Sequence, residues 1–365
     1  MTAVKPVLDA YLELNFVLIL SVVLWFAARF VLSRTSMRLS FSDQFRLLRA
    51  LVLCLMLSPV LAFGVAHLFE LVWPGQPMAI GDVAVAAYLR GEIALPATQF
   101  ETLLNTRQRW VEAALDGSSV WAIAALAALA LVSAMLVIRV IWAALQIRQT
   151  VLDSFLWKRS AKVDVRLSDH IKVPFAVRGL RRRHVILPSN LLNDRHELRF
   201  AIAHEFQHVR SGDVEWELVL EFLRPLFFWN PAYHILRYQF ERLRELGCDQ
   251  AIVARRRLDT VDYAKCLLDY CARTVTRERP QVLNVALVNG NKAKRVLRQR
   301  VIALADGPKG GHPLHAMVLT FSLIFAIVLA WGSASLRETE GWSQDRLMLS
   351  TVVNLERLER RNSGN

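Results

Sequence analysis

The stretch FAIAHEFQHVRSGD, residues 200–213, sets His204 and His208 four positions apart with Glu205 between them. On a helix, side chains at i and i+4 share one face, so both imidazoles can reach a single zinc ion about 2 Å away. Glu205 projects beside them, placed to take a proton from an attacking water, as in metallopeptidases. Helices whose histidines make ordinary hydrogen bonds carry the same pattern, so a further ligand has to decide. A metzincin needs histidine at 214, where this chain has Val214. Downstream, RELGCDQA (244–251) puts Glu245 and Asp249 one turn apart, beginning 37 residues after His208. In gluzincins a second helix supplies a glutamate ligand, and an aspartate one turn later holds a ligand histidine through its other ring nitrogen. The competing explanation is a solvated charged face shared with Glu241, Arg242 and Arg244.

These side chains need two helices and a support. Asp194 with Glu197 forms a capping-box pattern, and Leu198, Ile202, Phe206 and Val209 recur at helical spacing, so the first helix runs to Ser211–Gly212. Residues 163–167, 172–178 and 184–187 have β-like patterns punctuated by Pro174, Gly179 and Pro188, which predicts a small sheet or hairpin. The stretch 172–178 would offer an edge to which an extended substrate adds as a strand. A second helix starts after Trp229-Asn230-Pro231. His234, Tyr238 and Tyr263 are candidates for stabilising an oxyanion, and the sequence does not choose among them. Phe227, Phe228 and Trp229 fit a bilayer interface or a core cluster equally well.

The chain is 54% hydrophobic with a formal charge of +13, a pairing that suggests membrane insertion. Uncharged runs of about 20 residues predict spans near 50–70, 117–140 and 314–336, and a shorter core predicts one near 12–33. Arg29, Arg34, Arg38, Arg46 and Arg49 against Asp43 make the first loop basic, whereas 73–116 is acidic. The positive-inside rule then places the N-terminus, loop 73–116 and tail 337–365 outside, and 146–313 in the cytoplasm. Residues 146–312 hold 30 of the 45 basic and 18 of the 32 acidic side chains. Attraction to anionic lipid accounts for this charge, and no nucleic-acid-binding motif accompanies it, so direct nucleic-acid binding is not expected. Cys54, Cys248, Cys266 and Cys271 show no paired spacing, which points away from disulfides and cysteine zinc sites. Cys248 is expected to be a small buried residue.

The segments HVILPSNLL, LRFAIAHEFQHVRSGD and FFWNPAYHILRYQFERLRELGCDQAI resemble the zinc peptidase domain of the BlaR/MecR antirepressors, membrane receptors of bacterial β-lactam resistance. The resemblance covers about 160–305 and the order of spans, three before the domain and one after. It rests on H-E-x-x-H, Asp213, W-N-P and the E-x-x-C-D of Glu245, Cys248 and Asp249. It implies an α-helical integral membrane protein of the bacterial cytoplasmic membrane. Its cytoplasmic domain would be a mainly α (α+β), gluzincin-type zinc metallopeptidase. By resemblance His204, His208 and Glu245 hold one Zn²⁺ per chain, and Glu205 is the catalytic base. The implied substrate is a cytoplasmic protein such as a transcriptional repressor, or the chain itself, with 305–313 (ADGPKGGHP) an accessible run for self-cleavage, and a homodimer is a further partner. The 29 residues after Leu336 lack the S-x-x-K of a penicillin-binding sensor domain. Sensing would then fall to loop 73–116, the tail or an extracytoplasmic sensor partner. FETLLNTRQRWVEAAL (100–115) would gather Phe100, Leu103, Leu104, Trp110, Val111 and Ala114 on one apolar side. A housekeeping membrane-protein protease and a non-catalytic transducer with structural zinc are the alternatives.

Overall fold

The computed structural model describes residues 4–35, 40–73, 79–116, 119–160, 162–179, 181–256, 260–276, 290–305, 315–336 and 344–363. In chain order the elements are α1 (Val4–Leu32), α2 (Phe41–Val72), α3 (Ile80–Leu89), α4 (Ala97–Leu104), α5 (Thr106–Leu115), α6 (Val120–Asp153), β1 (Phe155–Arg159), β2 (Val163–Ser168), β3 (Phe175–Arg178) and β4 (Arg183–Pro188). There follow a 3₁₀ turn (Ser189–Asn193), α7 (Arg195–Ser211), α8 (Asp213–Phe227), α9 (Pro231–Arg256), α10 (Thr260–Thr276), α11 (Gly290–Ala305), α12 (His315–Ser335) and α13 (Gln344–Ser363). The fold is mostly helical, and among the described residues four helices are long and apolar enough to cross a membrane: Val7–Leu32, Phe41–Val72, Val120–Asp153 and Ala316–Ser335. At 32 and 34 residues, α2 and α6 exceed the roughly 20 residues that span hydrocarbon.

The chain divides into two compact units, residues 1–27, 49–131 and 319–365, and residues 28–48 and 132–318. In the first unit, α13 packs on α3 and α4 around Val85, Ala97, Phe100, Leu349 and Val353. Arg346 donates to the buried Asp82 at 2.6 Å, and Arg357 donates to Glu101 at 2.6 Å. Glu356 accepts the Thr98 backbone N–H at 3.0 Å, filling in for the side-chain cap that α4 lacks. The tail therefore contributes a whole helix here. The single apolar side expected over 100–115 does not form. The helix breaks at Asn105, which ends α4 and starts α5, so Phe100 and Val111 are buried while Leu103 and Trp110 are exposed.

In the second unit the sheet has strand order β1-β2-β4-β3, with β2 and β4 parallel and both outer pairs antiparallel. β1 was not apparent from the pattern, because all five of its residues are exposed at an edge and show no alternation. Val185, Ile186 and Leu187 of central β4 are fully buried, which explains their unbroken apolar run. Against the sheet lies the apolar stripe of α7, where Leu198, Ile202, Phe206 and Val209 meet Val163, Val165, Val185 and Leu187. Phe200, on another side of α7, joins Cys248, Ile252, Tyr263, Leu267 and Leu304 from α9, α10 and α11. With both faces packed, the rotation of α7 about its axis is fixed.

The first turns of α2 dock on α9 within this unit. Gln250 Oε1 accepts the Phe41 N–H at 3.0 Å and the Ser42 N–H at 3.4 Å, and the Phe45 and Phe240 rings meet edge to face at 4.8 Å. The run 306–314, which includes nearly all of the proposed self-cleavage stretch, lies outside the described residues.

Candidate metal centre

The Asp194 carboxylate caps α7, accepting the backbone N–H groups of His196 at 2.9 Å and Glu197 at 3.1 Å. Five turns later Gly212, at φ 71° and ψ 27°, ends the helix in the left-handed region that glycine adopts without penalty. The chain reverses there and α8 begins at once. This places Asp213 Oδ2 2.7 Å from His208 Nδ1. On the far side of the site, Asn230 accepts the Ala232 N–H at 3.0 Å with Pro231 as the first helical residue, so the W-N-P signature is the start of α9.

His208 Nδ1 donates to Asp213. His204 Nδ1 lies 3.2 Å from the Tyr263 hydroxyl, which itself donates to Asp249 Oδ1 at 2.7 Å. With both Nδ1 atoms engaged, the Nε2 lone pairs are left to face one another at 3.1 Å. Glu245 Oε2 stands 3.5 Å from His204 Nε2, and Oε1 stands 3.8 Å from His208 Nε2. In a tetrahedral zinc site with bonds of about 2.0–2.2 Å, ligand atoms sit roughly 3.3 Å apart, so these three side chains fit one divalent cation. Two lone pairs and a carboxylate turned toward one point also repel unless a proton or a cation lies between them.

Electrostatics favour the ligand form of Glu245 and the charged form of His208. Burial works against the charge on Glu245, but its contact with His204 and the charges of Arg300, His208 and Arg244 hold its carboxyl well below the usual carboxylate range. Burial likewise disfavours a charged His208, yet the Asp213 hydrogen bond and the nearby Glu245 carboxylate keep its pKa above the ordinary value. Burial first, then the charges of Asp249 and Glu245, push the Cys248 thiol well up. His204, His208 and Cys248 form a compact trio, but Sγ is 3.5 Å from His204 Nδ1, the ring nitrogen turned away from His208. A neutral thiol on that side is poorly disposed to complete the set that the Nε2 atoms begin. Among the described side chains Cys54, Cys248 and Cys266 are in no disulfide.

Glu205 is buried and lines the same cavity, of about 650 Å³, as His204, His208 and Glu245. Edge strand β3 and the α6 residues Leu136, Val140 and Ala143 form further walls. Of the three oxyanion candidates, Tyr263 lines the cavity with its hydroxyl already committed to Asp249, while His234 Nε2 donates to the Phe228 carbonyl at 2.7 Å.

Asp249 lies 3.8 Å from His204 Nδ1, and its nearest partners are Tyr263 and Arg300. Arg300 donates from Nε and Nη2 to both Asp249 oxygens, at 2.7 and 2.8 Å, and its Nη1 is 3.2 Å from Glu245. The sequence offered no signal for Arg300, one basic residue among several on α11. Asp213 did carry one, following directly on a helix-stopping glycine. A second network braces α9: Arg237 binds Glu221 and, at 2.9 Å, Glu241, while Arg244 binds Glu217 and, at 3.3 Å, Glu245.

The family profile of the BlaR1 peptidase M56 matches residues 47–304, well over half of the chain. The chain belongs to this family. Among curated proteins, the regulatory protein BlaR1 of Bacillus licheniformis is 24% identical over 200 residues, which are 53% of this chain and 32% of that protein. The methicillin resistance mecR1 proteins of Staphylococcus aureus and Staphylococcus epidermidis are each 28% identical over 94 residues, 25% of this chain and 16% of theirs. The matched stretch thus spans a third or less of each relative's length. Family membership makes the chain a membrane metallopeptidase by kinship and implies a metal for the site.

Proposed function

We propose that this chain is a gluzincin-type zinc endopeptidase that transduces a signal by cutting a protein in the cytoplasm, with a repressor-like protein or the chain itself as substrate. The convergence of the two Nε2 atoms at 3.1 Å, with Glu245 within 3.8 Å of both, carries this reading. His204, His208 and Glu245 would hold the ion. Bound zinc supplies Lewis acidity, activating water and polarising the scissile carbonyl. Glu205 accepts the proton of the attacking water and returns it to the leaving amine. Asp213 fixes the His208 ring, and Asp249, through Tyr263, fixes that of His204. The exposed edge of β3, on the cavity wall, suits an extended peptide added as a further strand.

In this reading residues 1–145 carry three spans, 146–313 form the cytoplasmic peptidase domain, 314–336 form the fourth span and 337–365 lie outside. The excess of Arg in the first loop supports that orientation. The names of the relatives, a regulatory protein and resistance proteins, favour signalling over housekeeping proteolysis. The test uses the full chain in detergent with zinc, comparing wild type with Glu205→Gln by metal analysis and intact-mass spectrometry, alone and with candidate repressor peptides. Both proteins should hold one zinc, and only the wild type should cut. Equal cleavage, or zinc absent from both, would sink the proposal.

A further inference from the structure

From Asp213 to Asn230, covering α8 and the turn into α9, every solvent-exposed residue is apolar: Leu218 (44% exposed), Phe222 (69%), Leu226 (50%) and Trp229 (47%). The first three repeat at four-residue intervals and form one stripe along the helix. The charged side chains of the stretch turn the other way. Asp213 meets His208, Glu215 meets Arg183 at 2.7 Å, Glu217 meets Arg244, and Arg224 stands 3.7 Å from Glu221. A helix whose outer face met water would show the opposite pattern, polar outside and apolar inside.

The position of this stripe along α6 says what covers it. Ser133 Oγ donates to the Pro225 carbonyl at 2.9 Å, tying the end of α8 to α6. Ser133 lies within the uncharged run of α6, six residues before Arg139, the first charge after it. At 1.5 Å per residue that is about 9 Å inside the charged boundary, the depth at which interfacial helices sit. We infer that the second half of α8 and the turn after it are immersed in the lipid leaflet, with Phe222 and Leu226 among acyl chains and Trp229 at the headgroup level. The occupant of this face is bilayer lipid. A water-facing arrangement would leave the apolar stripe uncovered, and Pro225 could not then sit beside a residue inside the span. Because Glu217, Glu221 and Arg224 on the inner face of α8 line the cavity of the metal centre, the cavity lies at the membrane surface. Its substrate would be cut where a cytoplasmic chain meets lipid.

This inference rests on α6 crossing the bilayer, and the test separates the two. A fluorescent amino acid is genetically encoded in place of Phe222 or Leu226 in the full chain, reconstituted in phosphatidylcholine and phosphatidylglycerol vesicles. Leu131 in the apolar run and exposed Arg255 serve as lipid and water controls. Quenching by brominated lipid should reach at 222 and 226 the level seen at 131, with iodide quenching strong only at 255. Iodide quenching at 222 and 226 matching that at 255 overturns the inference, as does shielding from both quenchers, which would reveal a second copy or another protein on this face. Absence of lipid quenching at 131 would overturn the span and the inference together.

Discussion

Replacing Arg300 by Gln tests whether the metal centre depends on a cation from a helix outside the zinc-binding motifs. The guanidinium bridges both oxygens of Asp249, which is only 2% exposed, and reaches Glu245 at 3.2 Å. The amide of Gln cannot neutralise these carboxylates. Removing one partner of a buried ion pair costs about 3–5 kcal/mol. At roughly 2–4 °C per kcal/mol for a domain of this size, the apparent melting temperature should fall by about 6–20 °C. Loss of the group that orients a metal ligand should weaken zinc binding about 10–100-fold. Arg300→Lys keeps the charge without the two-pronged geometry and should fall between. Zinc affinity is read by competition with a chromogenic chelator on the full chain in detergent, alongside a thermal melt. In combination with Asp249→Asn the two losses should overlap, with a coupling of about 0.5–3 kcal/mol. Affinity within about twofold of wild type, far less than removal of a supporting hydrogen bond normally costs, together with an unchanged melt, would refute the argument.

Asp213→Ala frees the His208 ring and should lower zinc affinity about 10–100-fold while leaving cleavage measurable at saturating zinc; chelator competition checks this. Zinc requires neutral His208, whose pKa is held above its ordinary value, so affinity should fall about tenfold per pH unit as the pH drops through that raised value. The metal-free chain should behave oppositely. Its charged His208–Asp213 pair stabilises fully below the unfolded histidine pKa and is lost as pH rises through the folded one, which melts in excess chelator across pH will show. Cys248→Ser should retain one zinc per chain by metal analysis, whereas loss of the metal would install the thiol as a ligand in place of Glu245.

The H-E-x-x-H helix was legible because a 3.6-residue apolar stripe, an acidic cap and a terminal glycine all agree on its bounds, and Glu245 was legible because its E-x-x-x-D spacing repeats the same helical logic. Three strands were visible as short β-branched runs, while β1, exposed at the sheet edge, gave no periodic signal. Pairings between distant segments were not legible. Asp249 was expected to hold a histidine directly, yet Tyr263 and Arg300, from two further helices, are its nearest partners. The docking of α13 on α3 and α4 was equally hidden, since Arg346 and Asp82 are 264 positions apart and nothing local to either names the other.

The spread of these contacts along the chain has a consequence for biogenesis. α2 leaves the ribosome well before α9, and its leading N–H groups wait 209 positions for Gln250 to cap them. The two histidines follow, but Glu245 comes 37 residues after His208, and Arg300, which neutralises it, another 55 later. Because domains are completed from the N-terminus as synthesis proceeds, the nascent chain carries both histidines well before it can assemble the full ligand cage. A chain that stalls before α11 lacks Arg300, the cation that pairs with Glu245 and Asp249.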